Sequence, residues 1–564
     1  MPQSVLSVER VRSFLSSPVS DARLTDLLFA SKAEVEKLDG DALTVSVTPD
    51  RLDLLSEAGL SLELGGALGL ARGILRFRVD PATDRSAVFE VDASVDRLRP
   101  VIAGYRVRAP PGSGLDPGTL EEAIRFQELI HETVGRGRRT ASIGIYPWEK
   151  IEPPVSYSLE TLDRVRFVPL DGTEEMAATS FFGTHPLAAR YGAYGREGGS
   201  CLVLRDAAGS ILSLPPVLNS RTAGESRVGD RELLIESTGT QARSVEESLG
   251  LLLVVFAVRG WSVIPVPVVG PGPRRDPGRA AVAMRSVRLP SRLLGEMAGE
   301  SLASAEVVRR LGRARLGVRP QAGGWRVEVP PWRPDLRNPV DAVEDVILAV
   351  PLSPEGAVVP PSFRRGRRRP ETMFRRRVAT DLIGLGFAAP YTSLLVSDAR
   401  VAQLGSTSPI RLHNPVSTEF AYLRDRILLS HLDVLAHNTR HGYPQRFAEV
   451  GPVVVRHPSA ESGSETRYHA SLVVAADPVG FSDAAALVDY LLRRRDVLAV
   501  REPSELPGLI PGRSARSRVA GETVAELGEI HPSVLIHLGV PVPAVWAEID
   551  LTTLWTLVGP REAA

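Results

Sequence analysis

Residues 327–350 read VEVPPWRPDLRNPVDAVEDVILAV. Asn338 is a good helix N-cap and Pro339 a good first helical residue, so a helix is predicted to start there. At about 100° per residue, Asp341, Glu344 and Asp345 share one face, and Val343, Val346, Ile347 and Val350 fall on the other. Asp335 lies just upstream on an extended segment held by Pro330, Pro331 and Pro334, within reach of the acidic face. Like charges at i, i+3 and i+4 repel by a few tenths of a kcal/mol per pair, so a cation or an arginine is expected beside them. An all-oxygen donor set suits a hard ion, Mg²⁺ above all. The alternative is an acidic first turn that complements the helix dipole on a solvated face.

Bulk properties bound the rest. A chain of 564 residues has room for three or four domains with ample core. Its net charge is zero, so any nucleic-acid contact must come from local patches. Of the 67 basic residues only Lys32, Lys37 and Lys150 are lysines, and arginine is the better phosphate binder. Cys201 is the single cysteine, which excludes an internal disulfide and a cysteine-based zinc site. The most apolar run, residues 249–258, is too short to span a bilayer, and the first residues show no signal-peptide hydrophobic stretch. A cytoplasmic location without membrane contact is the expectation.

The motif Pro330-Pro-Trp-Arg-Pro-Asp335-Leu, followed by Asp341 and Glu344-Asp345, resembles the end of the B5 domain of the phenylalanyl-tRNA synthetase β subunit. The resemblance implies that Asp335, Asp341, Glu344 and Asp345 bind a Mg²⁺ shared with an α subunit. It departs at residues 349–352, Ala-Val-Pro-Leu, where the family usually continues Ala-Tyr-Gly-Tyr.

Four blocks follow in order. Residues 1–107 are expected to form a B1-like α/β region, with a strand at 44–47, a turn at 48–51 and a helical stretch at 52–70. Its Pro49-Asp-Arg51-Leu-Asp53-Leu-Leu-Ser56-Glu-Ala-Gly59 resembles a family turn-and-helix element, to which no chemistry is assigned. Residues 115–270 open with an amphipathic helix ended by Gly135, then a basic loop, Gly135-Arg-Gly-Arg-Arg139, which could touch tRNA phosphates or be a solvated loop. The strings 129–157 and 201–241 are similar to the B3/B4 domain of archaeal and eukaryotic β subunits, where mischarged tyrosyl-tRNA is hydrolysed. Position by position, Leu204, Ser213, Glu236 and Thr238 fall on the editing pocket, with Glu236 for the usual Asp and Gln241 where Asp is common. Residues 278–352 suggest a winged-helix-like B5 module. A linker with Arg364, Arg365 and Arg367 to Arg369 follows, then Arg375 to Arg377 on a helix expected from Glu371.

Residues 370–557 resemble a catalytically degenerate class II synthetase core, an antiparallel sheet with helices. No Gly-x-Gly-x-Gly-x-x-Arg occurs anywhere, and Gly270-Pro-Gly-Pro-Arg274 lacks the third glycine. His413, His431, His437, His441 and His531 are read as core or surface residues. The fold class expected is therefore α+β and multidomain. The resemblance implies a phenylalanine–tRNA ligase β subunit in an α₂β₂ tetramer, with the α subunit using ATP to attach phenylalanine to tRNA(Phe). The alternatives are a non-catalytic paralogue acting as an RNA-binding scaffold, and an independent Mg²⁺-dependent phosphotransfer enzyme, for which no Gly-rich phosphate loop is visible.

Overall fold

A computed structural model of the chain describes residues 1–270, 277–349, 359, 366–405 and 409–562. The chain divides into two compact units, Met1–Val358 and Val359–Ala564.

The first unit opens with a three-stranded antiparallel sheet in the order Gln3–Ser7, Ala42–Val47, Ala33–Asp39. The turn expected after it closes with Arg51 N–H donating to the Thr48 carbonyl at 3.0 Å. The helical stretch expected over 52–70 is broken in two, a short 3₁₀ turn at Leu52–Leu55 and a helix at Glu57–Ala67. Ser56 makes the break: its backbone is extended and its hydroxyl accepts from Gly59 N–H at 3.0 Å as an N-cap. A Cβ at Gly59 would stand 2.0 Å from the Asp53 carbonyl oxygen, so the turn needs glycine.

Next comes a four-stranded antiparallel sheet in the order Ser262–Pro265, Val101–Arg108, Glu232–Gly239, Ala141–Pro147. Alternation sorts its faces. Leu233 and Ile235, with Ile143 and Ile145, belong to the core shared with the apolar helix Ala242–Ala257. Leu234 and Tyr146 instead face Tyr157, Leu202, Leu204 and Leu212 of a second sheet. Glu236 and Thr238, in phase with Leu234, therefore enter the layer between the sheets. The strand Phe89–Val91 pairs in parallel with Val155–Thr161 in that second sheet. The boundary expected at 107 thus runs through one sheet and beyond a strand of another, because residues 89–108 pair with strands far along the chain.

The last part of this unit is a three-stranded sheet, Arg285–Pro290, Gly324–Val329, Gly317–Gln321, carrying the helices Ser291–Ala298, Ser304–Arg313 and Pro339–Leu348. Val287, Leu311, Val327, Val343 and Val346 form its core.

The second unit is built on a six-stranded antiparallel sheet in the order Gln445–Arg456, Ser464–Ala475, Ala544–Asp550, Glu522–Ile530, Leu509–Val519, Val500–Pro503. Leu472, Val474, Val545 and Ala547 pack with the helices Pro370–Gly384, Phe481–Arg493 and Leu551–Glu562. Val473, Ala475 and Trp546 pack with Leu428–His437 and Pro532–His537. This period-two division gives the sheet helices on both faces. Among the described residues no helix is long and apolar enough to cross a membrane.

Candidate functional site

At the edge of the four-stranded sheet lies a cavity of about 340 Å³ whose walls include Gln127, His131, Arg138, Ser142, Tyr146, Ser213 and Glu236. Glu236 sits on an inner strand opposite Gly144 and is 3% exposed. The Tyr146 hydroxyl lies 2.9 Å from Glu236 Oε1 and 2.9 Å from Ser213 Oγ. Glu236 Oε2 is buried and has no hydrogen-bond partner among the described residues. Burial pushes the Glu236 carboxyl up to about 8, against the hydrogen bond from Tyr146 and the charge of Arg99. A buried polar oxygen left unpaired is costly.

The other two residues expected here do not line the cavity. Leu204 pairs with Ser213 across neighbouring strands and is fully buried between the sheets. Thr238 is engaged by Arg99, whose Nε donates to Thr238 Oγ1 at 3.0 Å and whose Nη2 donates to the Thr238 carbonyl at 2.7 Å. Arg99 also donates to Ser142 Oγ and to the Arg138 carbonyl, and burial lowers it to about 10. Gln241, the other departure noted in this region, lines the separate cavity beside the acidic helix. Sequence reading missed Tyr146, Arg99 and Ser142. The one available signal was Gly144 two residues before Tyr146, where a strand leaves room for its own next-but-one side chain.

In the basic loop, Arg138 is a structural residue. It donates to both Glu128 oxygens at 2.9 Å and to the Pro216 and Val217 carbonyls, and it stacks over Tyr191. His131 Nε2 accepts from Ile143 N–H at 2.8 Å, so Nδ1 carries the proton directed at Glu128. Arg136 and Arg139 remain exposed.

The helix Pro339–Leu348 begins at the expected Asn338 cap. Asp341 closes that cap, its Oδ2 accepting from the N–H groups of Asn338 at 2.6 Å and Arg337 at 2.8 Å. Glu344 pairs with Lys32 at 2.8 Å, and Lys32 also meets Asp50 at 2.6 Å. Burial alone would lower the Lys32 ammonium, yet the two carboxylates hold it above its ordinary value. Asp345 does not join Asp341 and Glu344 on their face as expected. It is 6% exposed and bound by Arg333 at 2.9 Å, and the same guanidinium grips Asp335 at 2.7 Å. Beside them the buried Arg51 joins Asp53 at 3.0 Å and Glu63 at 2.8 Å. Burial raises the Asp345 carboxyl; Asp335 is also pushed up by burial, but the charge and hydrogen bonds of Arg333 and the charge of Arg51 outweigh this and hold it low.

These placements test the metal reading. Asp335, Asp341 and Glu344 line one cavity of about 930 Å³ together with Asp50, while Asp345 lines a different one with Arg51 and Glu63. Among the described residues no three His, Cys, Asp or Glu side chains are grouped closely enough to hold an ion. The four acids therefore do not converge as expected, because Arg333 draws Asp345 inward. What fits is a looser arrangement: Mg²⁺ keeps several waters and takes one or two carboxylates from a protein. Residues 350–352 of the departing turn, Arg364 and Arg365, and residues 271–274 of the glycine-containing linker lie outside the described residues.

In the second unit His431 is fully buried, with burial lowering it to about 4, and His413, His437 and His441 are exposed. His469, passed over in the sequence, pairs through Nδ1 with Glu548 at 2.7 Å; Glu548 also accepts from Ile427 N–H at 3.0 Å. Arg424 and Glu449 form a buried pair at 2.8 Å.

Two family models match the chain: the tRNA synthetase B5 domain over residues 287–350 and the phenylalanyl tRNA synthetase beta chain CLM domain over residues 357–551. A phenylalanine–tRNA ligase beta subunit from Aeropyrum pernix is 32% identical over 560 residues, 98% of this chain and 99% of that relative. One from Korarchaeum cryptofilum is 30% identical over 549 residues, 94% and 95% of the two chains. The chain belongs to the phenylalanine–tRNA ligase β-subunit family. An N-terminal fragment of the phenylalanyl-tRNA synthetase β subunit from Pyrococcus horikoshii shares its fold, with a TM-score of 0.56 and 24% identity over 62% of this chain and 99% of that one. Within this β-subunit family the B5 match runs from inside the first strand of the small sheet through the acidic helix, and the beta-chain match contains all six strands of the large sheet.

Proposed function

We propose that the chain acts as the β subunit of an α₂β₂ phenylalanine–tRNA ligase in the cytoplasm, and that it supports ATP-dependent charging of tRNA(Phe) at a synthetic site on the α subunit. End-to-end identity to β subunits carries this reading. The absence from the sequence of a Gly-x-Gly-x-Gly-x-x-Arg phosphate clamp supports placing synthesis on the partner. The six-stranded antiparallel sheet supports a class II synthetase-like core that serves assembly and not amino-acid activation. Asp341 and Glu344, which line one cavity with Asp335, offer oxygen ligands for a hydrated Mg²⁺ that a partner's groups would complete, while Arg333 holds Asp335 and Asp345.

The same chain hydrolyses mischarged tyrosyl-tRNA at the Glu236 cavity. Tyrosine and phenylalanine differ by one hydroxyl, and a site that must bond that hydroxyl rejects the analogue lacking it far better than an apolar pocket can. The unpartnered Glu236 Oε2 is the observation that carries this reading. Ser213, on the same cavity, can orient water at the ester; Leu204 and Thr238 act from behind, as packing and as an anchor for Arg99. The test is deacylation of tyrosyl- and phenylalanyl-tRNA(Phe) by the assembled protein. Faster loss of the tyrosyl ester is expected, and equal loss at the uncatalysed rate would overturn the editing assignment.

A further inference from the structure

The Tyr146 ring runs back along its own strand across Gly144. A Cβ at Gly144 would stand 2.1 Å from the Tyr146 hydroxyl and 2.6 Å from Glu236 Oε1, so glycine there opens the path between them. Tyr146 thereby reaches Glu236 Oε1 and Ser213 Oγ together, while Glu236 Oε2 is left without a partner. A glutamate carboxyl is soft about its last torsion, which has broad, roughly two-fold preferences. Held at one oxygen, it offers the other in a fixed direction; released, it does not.

We propose that Tyr146 is a positioning residue for this cavity: by holding Oε1 it leaves Oε2 as the single carboxyl oxygen presented to the hydroxyl of an incoming tyrosyl group, and so sets the preference for tyrosyl over phenylalanyl esters. The inference rests on the editing reading above. The groups that bear on Glu236 are Tyr146, the cation of Arg99 and the buried phenol of Tyr157, and the cavity walls add Glu128, His131, Arg138 and Glu225.

The test uses the full chain assembled with its α partner. Tyr146→Phe removes only the hydroxyl, and Gly144→Ala displaces Tyr146 while keeping it. In each variant that retains the unmutated near-ultraviolet circular dichroism, the ratio of tyrosyl- to phenylalanyl-tRNA(Phe) hydrolysis should fall roughly tenfold, the scale of one buried hydrogen bond. Charging should not change. A second readout does not need turnover: the infrared band of the protonated Glu236 carboxyl, assigned by its loss in Glu236→Gln, titrates at higher pH in Tyr146→Phe, because the hydrogen bond that favours the carboxylate is gone. An unchanged ratio in both variants while the unmutated complex edits would overturn the role of Tyr146 and leave the editing reading standing. Uncatalysed hydrolysis by the unmutated complex would overturn the editing reading, and an unmoved infrared midpoint would then refute the positioning claim by itself.

Discussion

Replacing Glu236 by glutamine should change how the stability of the protein depends on pH. Burial pushes the folded carboxyl up to about 8 from its ordinary value of 4.5. Between those two values the folded state keeps a proton that the unfolded chain has released, so stability falls as pH rises through that window and the loss is complete above the folded value. At about 1.4 kcal/mol per pH unit the displacement amounts to several kcal/mol. Glutamine has nearly the same shape and does not titrate. Its amide oxygen can still receive the Tyr146 hydrogen, and its NH₂ at the Oε2 position adds a penalty that is the same at every pH. The difference in stability between Glu236→Gln and the unmutated chain should therefore move in favour of the variant from pH 5 to pH 8. Urea unfolding of the full chain at pH 5, 6, 7 and 8 measures it. Parallel profiles for the two proteins, with no drift across this range, would refute the claim that Glu236 is held protonated in a dry site.

Three other outcomes follow from the same geometry. Glu236→Ala removes the acceptor from a buried hydroxyl, worth roughly 1–3 kcal/mol, and should slow tyrosyl-tRNA hydrolysis about ten- to hundredfold with charging intact, checked by deacylation and aminoacylation assays side by side. Asp341→Ala with Glu344→Ala removes two oxygens from the acidic cavity and should weaken both Mg²⁺ dependence and association with the α subunit; a double variant that assembles normally at every Mg²⁺ concentration would reduce the two acids to a helix cap and a partner for Lys32. Arg333→Met strands Asp335 and Asp345 beside Arg51 without their shared cation, and thermal or urea unfolding should report a loss of about 3–5 kcal/mol, the scale for breaking a buried ion pair from one side.

What the sequence made legible was set by local chemistry. The start of the acidic helix was readable because Asn338, Pro339 and Asp341 satisfy the helix terminus from within one turn, and Val343 and Val346 were readable as core from helical spacing. Asp345 was not, because its burial depends on Arg333 arriving from the preceding extended segment and on Arg51 from far earlier in the chain. The same limit explains the boundary near 107. Nothing in the composition of residues 89–108 shows that they pair with strands at 155–161 and 232–239. At the cavity, Ser213 and Glu236 could be placed by resemblance to other chains, but Tyr146 could not, since its role arises from an absent side chain at Gly144 and from the reach of this particular glutamate. Thr238 was assigned to the pocket, whereas the buried Arg99 engages it; Arg99 comes from far upstream in the chain, and no local pattern around either residue marks that contact.

Phenylalanine-dependent exchange of pyrophosphate into ATP, measured with the pure chain, with its α partner, and with the two mixed, tests the central assignment most directly. The account requires no exchange from the chain alone and full exchange, with charging of tRNA(Phe), from the mixture. Robust exchange by α-free protein, or charging by the α subunit that is indifferent to this chain, would contradict it.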